Sequence, residues 1–113
     1  MSYFDMASLI QKIRPEDFLE EVASETRTVL LLCMPHDDAF PQQRRIIEEV
    51  AGMFREELKV VLAEESCIEV FKRDFHISGT PTFLILCRGI EMARILGVTD
   101  RESLIRIIRE NVT

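Results

Sequence analysis

Pro81-Thr82 leads directly into an apolar run, Phe83-Leu84-Ile85-Leu86, and no other feature limits the fold so sharply. Proline has no amide hydrogen to give to a ladder, so in a sheet it is confined to the first residue of a strand or to an edge. Gly79 and Thr80 ahead of it make a tight entry. After the run, Arg88-Gly89 reads as a turn and Ile90–Leu96 as a second strand, an antiparallel hairpin that Gly97 stops. The C-terminal half therefore has to launch a strand straight out of a proline turn and fold it back on itself.

The rest of the chain alternates between strand and helix signals. Thr28–Cys33 is β-branched and apolar on both faces, as expected of a central strand covered on each side. Residues 4–13 fit either period; Leu9–Ile13 is read as a short strand. Pro15, followed by Glu16 and Asp17, opens a helix that runs to about Ser24 on the apolar positions Phe18, Leu19 and Val22. A long helix is expected over about 41–57, with Ile46, Ile47, Val50, Ala51, Phe54 and Leu58 on one stripe and Asp37 or Asp38 as its cap. Lys59–Ala63 reads as a second buried strand. Ser66-x-x-Glu69 and Thr99-x-x-Glu102 read as capping boxes for a helix through Phe75 and for a closing helix that buries Leu104, Ile105, Ile107, Ile108 and Val112. The order is β-α-β-α-β-α-β-β-α, a mixed sheet of four to five strands with helices on both faces, in one domain spanning 1–113.

A chain of 113 residues can build one continuous core without a metal or a disulfide. Its net charge of −6 argues against nucleic acid, whose binding rests on neutralising phosphates. No basic leader followed by an apolar stretch opens the sequence, and no apolar run nears the ~20 residues of a membrane helix. These features point to a cytoplasmic protein with no membrane partner, in which Cys33, Cys67 and Cys87 stay reduced. Three cysteines without Cys-x-x-Cys spacing indicate neither a zinc site nor a disulfide framework, and no cofactor motif is present.

Gly79-Thr80-Pro81-Thr82 before an apolar strand, a glycine turn and a second strand resembles the second half of a thioredoxin-like domain, and the element order resembles that fold from about Leu9 to Asn111. The resemblance implies a cis bond at Pro81, facing an active-site loop at the start of the long helix. Aligning Ile46-Ile47-Glu48-Glu49-Val50-Ala51 with the corresponding helix of thioredoxins, without a gap back to Val29, puts Asp37-Asp38-Ala39-Phe40 at the four Cys-x-x-Cys positions and His36 at the tryptophan. Dithiol exchange needs a nucleophilic and a resolving sulfur. Neither is there, so ordinary thioredoxin activity is not expected.

A second register, Cys33-Met34-Pro35-His36, resembles a Cys-x-Pro-x motif with histidine in place of the resolving thiol, and makes Cys33 a candidate monothiol nucleophile. Against it, Cys33 directly continues Leu30-Leu31-Leu32; its alternative role is that of a small buried hydrophobe. Cys87 is expected too far along a neighbouring strand to bridge Cys33, and Cys67 sits among Glu64, Glu65 and Glu69, which oppose a thiolate. His36 and His76 read as a loop residue and a helix-end residue, with no metal cluster around either. Glu48-Glu49, Glu56-Glu57 and Glu64-Glu65 read as solvated faces.

The resemblance further implies a groove between that loop and the backbone ahead of the cis-proline, which pairs with an extended peptide. Asp37, Asp38, Ala39, Phe40, Thr80 and Pro81 are its expected lining, apolar with acidic edges if Phe40 is exposed and closed if Phe40 turns inward. The leading expectation is a redox-inactive binding or chaperone module for a protein or peptide segment. In lacking Cys-x-x-Cys and in its polar, proline-containing loop it resembles the thioredoxin-like hydrogenase-maturation chaperones. The alternatives are a monothiol oxidoreductase using Cys33, and a domain that self-associates into a homodimer.

Overall fold

The computed structural model describes residues 9–112, and the N-terminal part of the ambiguous 4–13 segment lies outside them. The elements are β1 (Ile10–Ile13), α1 (Pro15–Ala23), β2 (Thr28–Cys33), α2 (Phe40–Met53), β3 (Leu58–Ala63), a 3-10 turn (Glu65–Cys67), α3 (Ile68–Asp74), β4 (Thr82–Cys87), β5 (Ile90–Leu96) and α4 (Arg101–Asn111). The sheet order is β1-β3-β2-β4-β5. The first three run parallel, while β4 is antiparallel to β2 and β5 to β4. This is the mixed sheet, covered by helices on both faces, that the order of elements implies.

All six residues of β2 are buried, so the strand packs on both faces. Leu30 and Leu32 join Val60, Leu62, Phe83 and Ile85 in the layer beneath α2 and α4, which contribute Ile47, Val50, Leu104 and Ile108. Val29, Leu31 and Cys33 join Val61, Leu84 and Leu86 in the opposite layer, beneath Phe18 and Val22 of α1 and Ile68 and Phe71 of α3. Odd and even positions thus feed separate halves of one core, the consequence of the two-residue period of a strand.

The local stop and start signals are less faithful. Helix α2 begins at Phe40, with Pro41 in its first turn, and ends at Met53; Phe54–Glu57 form a turn closed by the Glu57 and Leu58 amides donating to the Phe54 carbonyl. Its cap position is Ala39, and neither Asp37 nor Asp38 bonds to it as a cap. Asp37 instead forms an Asx turn one residue earlier, its Oδ1 accepting from the Ala39 amide at 3.0 Å. The Ser66 capping box does not form: Glu64 leads a 3-10 turn there, and its carbonyl accepts from the Cys67 amide. The second box is shifted by one, since Asp100 caps α4 with Oδ1 accepting from the Ser103 amide at 2.7 Å.

One charged cluster ties the α1–β2 connection to the sheet. Glu25 accepts from Arg27 Nε (2.7 Å), Nη2 (3.1 Å) and backbone amide (3.0 Å), with Lys59 Nζ 3.9 Å away. The Arg27 hydrogen bonds lower the Glu25 pKa from 4.5 to about 2, against partial burial that raises it. In the unfolded chain Glu25 takes up its proton near the ordinary value, so its contribution to stability is complete above about 4.5 and is lost as pH falls toward about 2. The expected result is that Glu25→Gln removes part of the fall in melting temperature between those pH values; identical acid profiles for the two proteins would refute it.

Candidate functional site

Cys33 at the end of β2 is in register with Thr82 at the start of β4, so the loop after one strand and the turn before the other meet at one end of the sheet. The Thr80–Pro81 bond is cis. Pro81 is buried and Thr80 half-buried. The turn is closed on both sides of the proline: the Gly97 amide donates to the Pro81 carbonyl at 2.8 Å, and the Thr82 hydroxyl donates to the Gly79 carbonyl at 2.6 Å. Among the described residues neither the amide nor the carbonyl of Thr80 takes a hydrogen bond. A backbone donor and acceptor at this point are free to pair with another extended chain.

Three side chains hold this region in shape, and local spacing gave no sign of any of them. Glu65, read from sequence as solvated, accepts from the His36 amide at 2.8 Å and sets its other oxygen 3.4 Å from His36 Nδ1. It fastens the loop to the 3-10 turn. Gln43, buried in the first turns of α2, donates from Nε2 to the Thr99 carbonyl (3.0 Å) and accepts at Oε1 from the Thr99 amide (3.1 Å). Arg94 of β5 donates to the carbonyls of His76 (3.1 Å) and Phe75 (2.9 Å) at the end of α3, and is itself held by Glu91. The segment that leads into Pro81 is therefore tethered to the edge strand.

The expected lining comes together only in part. Phe40 is half-buried, with one side against the core beneath α2 and the other beneath the His36 ring, 4.0 Å between centroids. It neither opens as a bare wall nor leaves the loop altogether. Asp37 and Asp38 are exposed in the loop. Ala39 lines a shallow depression shared with Gln42, Val98, Thr99 and Arg101. The exposed apolar surface here belongs instead to Leu96 (61% exposed) and Val98 (62%), which flank the Gly97 that is bonded to Pro81.

Cys33 is fully buried, its Sγ 4.0 Å from the Ile68 carbonyl, in the layer beneath α1 and α3. Burial pushes its thiol up to about 11, with Lys72 opposing the rise and Glu69 adding to it. All three thiols are free, with Cys67 and Cys87 partly exposed. Cys33 pairs with Thr82 at one end of β4 and Cys87 lies at the other end of that strand, beyond the reach of a bridge. No group of three or more His, Cys, Asp or Glu side chains that could hold a metal occurs among the described residues. No helix among them is long and apolar enough to cross a membrane.

No protein-family model and no curated protein sequence matches the chain. Among solved structures it is similar to a mutant thioredoxin from Halobacterium salinarum NRC-1, with a TM-score of 0.80 and 15% sequence identity over 92% of this chain and 91% of that one. At that identity the likeness establishes the fold, and the chain has the thioredoxin fold.

Proposed function

We propose that this chain is a redox-inactive thioredoxin-like protein that binds an extended protein segment through the cis-proline groove, as a chaperone or adapter module. The observation that carries the reading is Thr80: a half-exposed residue beside a buried cis-proline, with its amide and carbonyl uncommitted among the described residues. Leu96 and Val98 supply the apolar contact and Asp37, Asp38 and Asp100 the acidic edge, a combination suited to a segment that mixes apolar and basic residues. The resemblance to hydrogenase-maturation chaperones supports such a role for this fold. Monothiol chemistry at Cys33 needs an accessible thiolate, and a buried thiol with a pKa of about 11 is protonated at neutral pH.

The redox half of the reading is tested by titrating the native protein with a thiol reagent. Cys67 and Cys87 are expected to react promptly, and Cys33 only at the rate of unfolding; prompt modification of all three would reinstate the monothiol mechanism. The binding half is tested on an array of immobilised ten-residue peptides of varied apolar and basic content. Burying a valine is worth ~1.5–3 kcal/mol, so Val98→Asp should weaken captured peptides about tenfold or more, and binding should also decline as salt rises. Because Val98 is exposed, the variant keeps its melting temperature. Retention of full affinity in Val98→Asp would exclude this groove.

A further inference from the structure

At the far end of β4 from Pro81, a groove of about 520 Å³ opens where α1 and α3 meet the β4–β5 turn. Its floor and walls are Phe18, Leu19, Val22, Phe71 and Phe75, with the Phe18 ring edge-on to both Phe71 (6.0 Å) and Phe75 (5.2 Å). Leu19 is 78% exposed on one wall, the most exposed of the large apolar side chains described. Only two charged side chains line the groove, Asp74 and Arg88. Asp74 is met by Arg73 at 3.3 Å. Arg88 has no ion pair or side-chain hydrogen bond among the described residues.

Arg88 is also an unexpected residue for its place. It has φ +53 and Gly89 has φ +83, the left-handed pair of a two-residue hairpin turn. Asn, Asp or Gly occupy the first position of such turns because an ordinary side chain disfavours that backbone. An arginine stands there against local preference, at the edge of the groove and with no ion-pair partner among the described residues.

We propose that the groove where α1 and α3 meet the β4–β5 turn binds a small amphiphile with an apolar body and an anionic head, the body along Leu19 and the partly exposed Phe75, over a floor closed by the buried Phe18 and Phe71, and the head on Arg88. The volume falls within the roughly 300–1,000 Å³ of small-molecule sites, which combine apolar walls with a few polar groups. The overall charge of −6 works against an anion, but at physiological salt that field is screened within ~8 Å, and the guanidinium contact decides the head-group preference. The site is separate from the cis-proline groove and does not rest on the function proposed for it.

The test uses the full chain, labelled with 15N, and decanoate below its micelle concentration, with decyltrimethylammonium and acetate as the inverted and truncated probes. Decanoate is expected to shift the amides of Leu19, Ala23, Phe75 and Gly89; the cationic probe should bind at least tenfold more weakly and acetate not at all. Arg88→Asn should lose about tenfold in decanoate affinity while melting higher, because asparagine suits the turn. Leu19→Asp should lose as much without a change in folding. Equal binding of the two decyl probes, full affinity in Arg88→Asn, or shifts confined to the Pro81 end would overturn the assignment. So would failure of decanoate where an apolar heptapeptide with a free terminal carboxylate binds, which would make a protein terminus the ligand.

Discussion

Phe83→Ala lowers the free energy of unfolding by about 3–5 kcal/mol, read from urea transitions of the two proteins. Phe83 is fully buried at the second residue of β4 and meets the layer beneath α2 and α4, which Ile47, Leu104 and Ile108 also fill. Truncation removes most of an aromatic side chain from water-excluded contact and leaves a void that strands bonded on both sides cannot close. A domain of this size holds about 5–15 kcal/mol in all, so the variant is left near the margin of folding. Phe83→Leu should recover most of the loss, since it refills much of the space. A cost under about 1 kcal/mol for the alanine variant would mean that this layer is far looser than the burial indicates.

The second large effect is polar. Gln43→Met keeps the length and bulk of the side chain but removes both bonds to Thr99, leaving a partly buried amide and carbonyl without partners. The expected destabilisation is about 1–3 kcal/mol, the cost of desolvated groups left unpaired less what water recovers at a half-exposed residue. The structural consequence reaches further than the number. Thr99 follows Val98 and Gly97, and Gly97 is bonded to Pro81, so release of Thr99 loosens the apolar side of the proposed peptide groove. Amide exchange at Thr99 should accelerate by more than the global change in stability accounts for, and peptide capture should weaken with it. Thr99 protection that tracks global stability alone would show that Gln43 fills space and positions nothing.

These two residues also mark where the sequence was legible and where it was not. Phe83 lies in a continuous apolar run behind a proline, which marks a strand covered on both faces, and strand geometry alone separates Phe83 and Ile85 from Leu84 and Leu86; which layer each pair meets comes from the fold. The whole element order follows from patterns of that kind. Gln43 and Glu65 are polar residues on helix or turn surfaces by every local criterion, and their partners lie 56 and 29 positions away in the chain. Arg94 reaches back 18 and 19 positions. No spacing rule connects such pairs, because the contact exists only once the sheet has brought β5 beside the end of α3. The caps failed for a smaller reason of the same type. Ser66 and Thr99 have the right residue types, but each segment had a better solution one or two residues away, a 3-10 turn led by Glu64 and an aspartate at position 100. Phe40 could not be placed because its outcome depended on His36, which in turn depends on Glu65.

The unbroken apolarity of β2 leaves its alignment with its neighbours to be decided by something other than greasiness. If Val29 through Cys33 moved one step along the ladder, every layer would still receive an aliphatic or sulfur-bearing side chain, merely of a different shape. What resists the slip is the polar residue at its head. The Thr28 amide donates to the Glu57 carbonyl at 3.1 Å, and its hydroxyl donates to the Asn111 carbonyl at 3.4 Å, at the tail of the last helix. Any residue other than proline could make the amide bond, so the hydroxyl bond to Asn111 is the contact that distinguishes Thr28 from its aliphatic neighbours, and it links the register of the innermost strand to the last turn of α4.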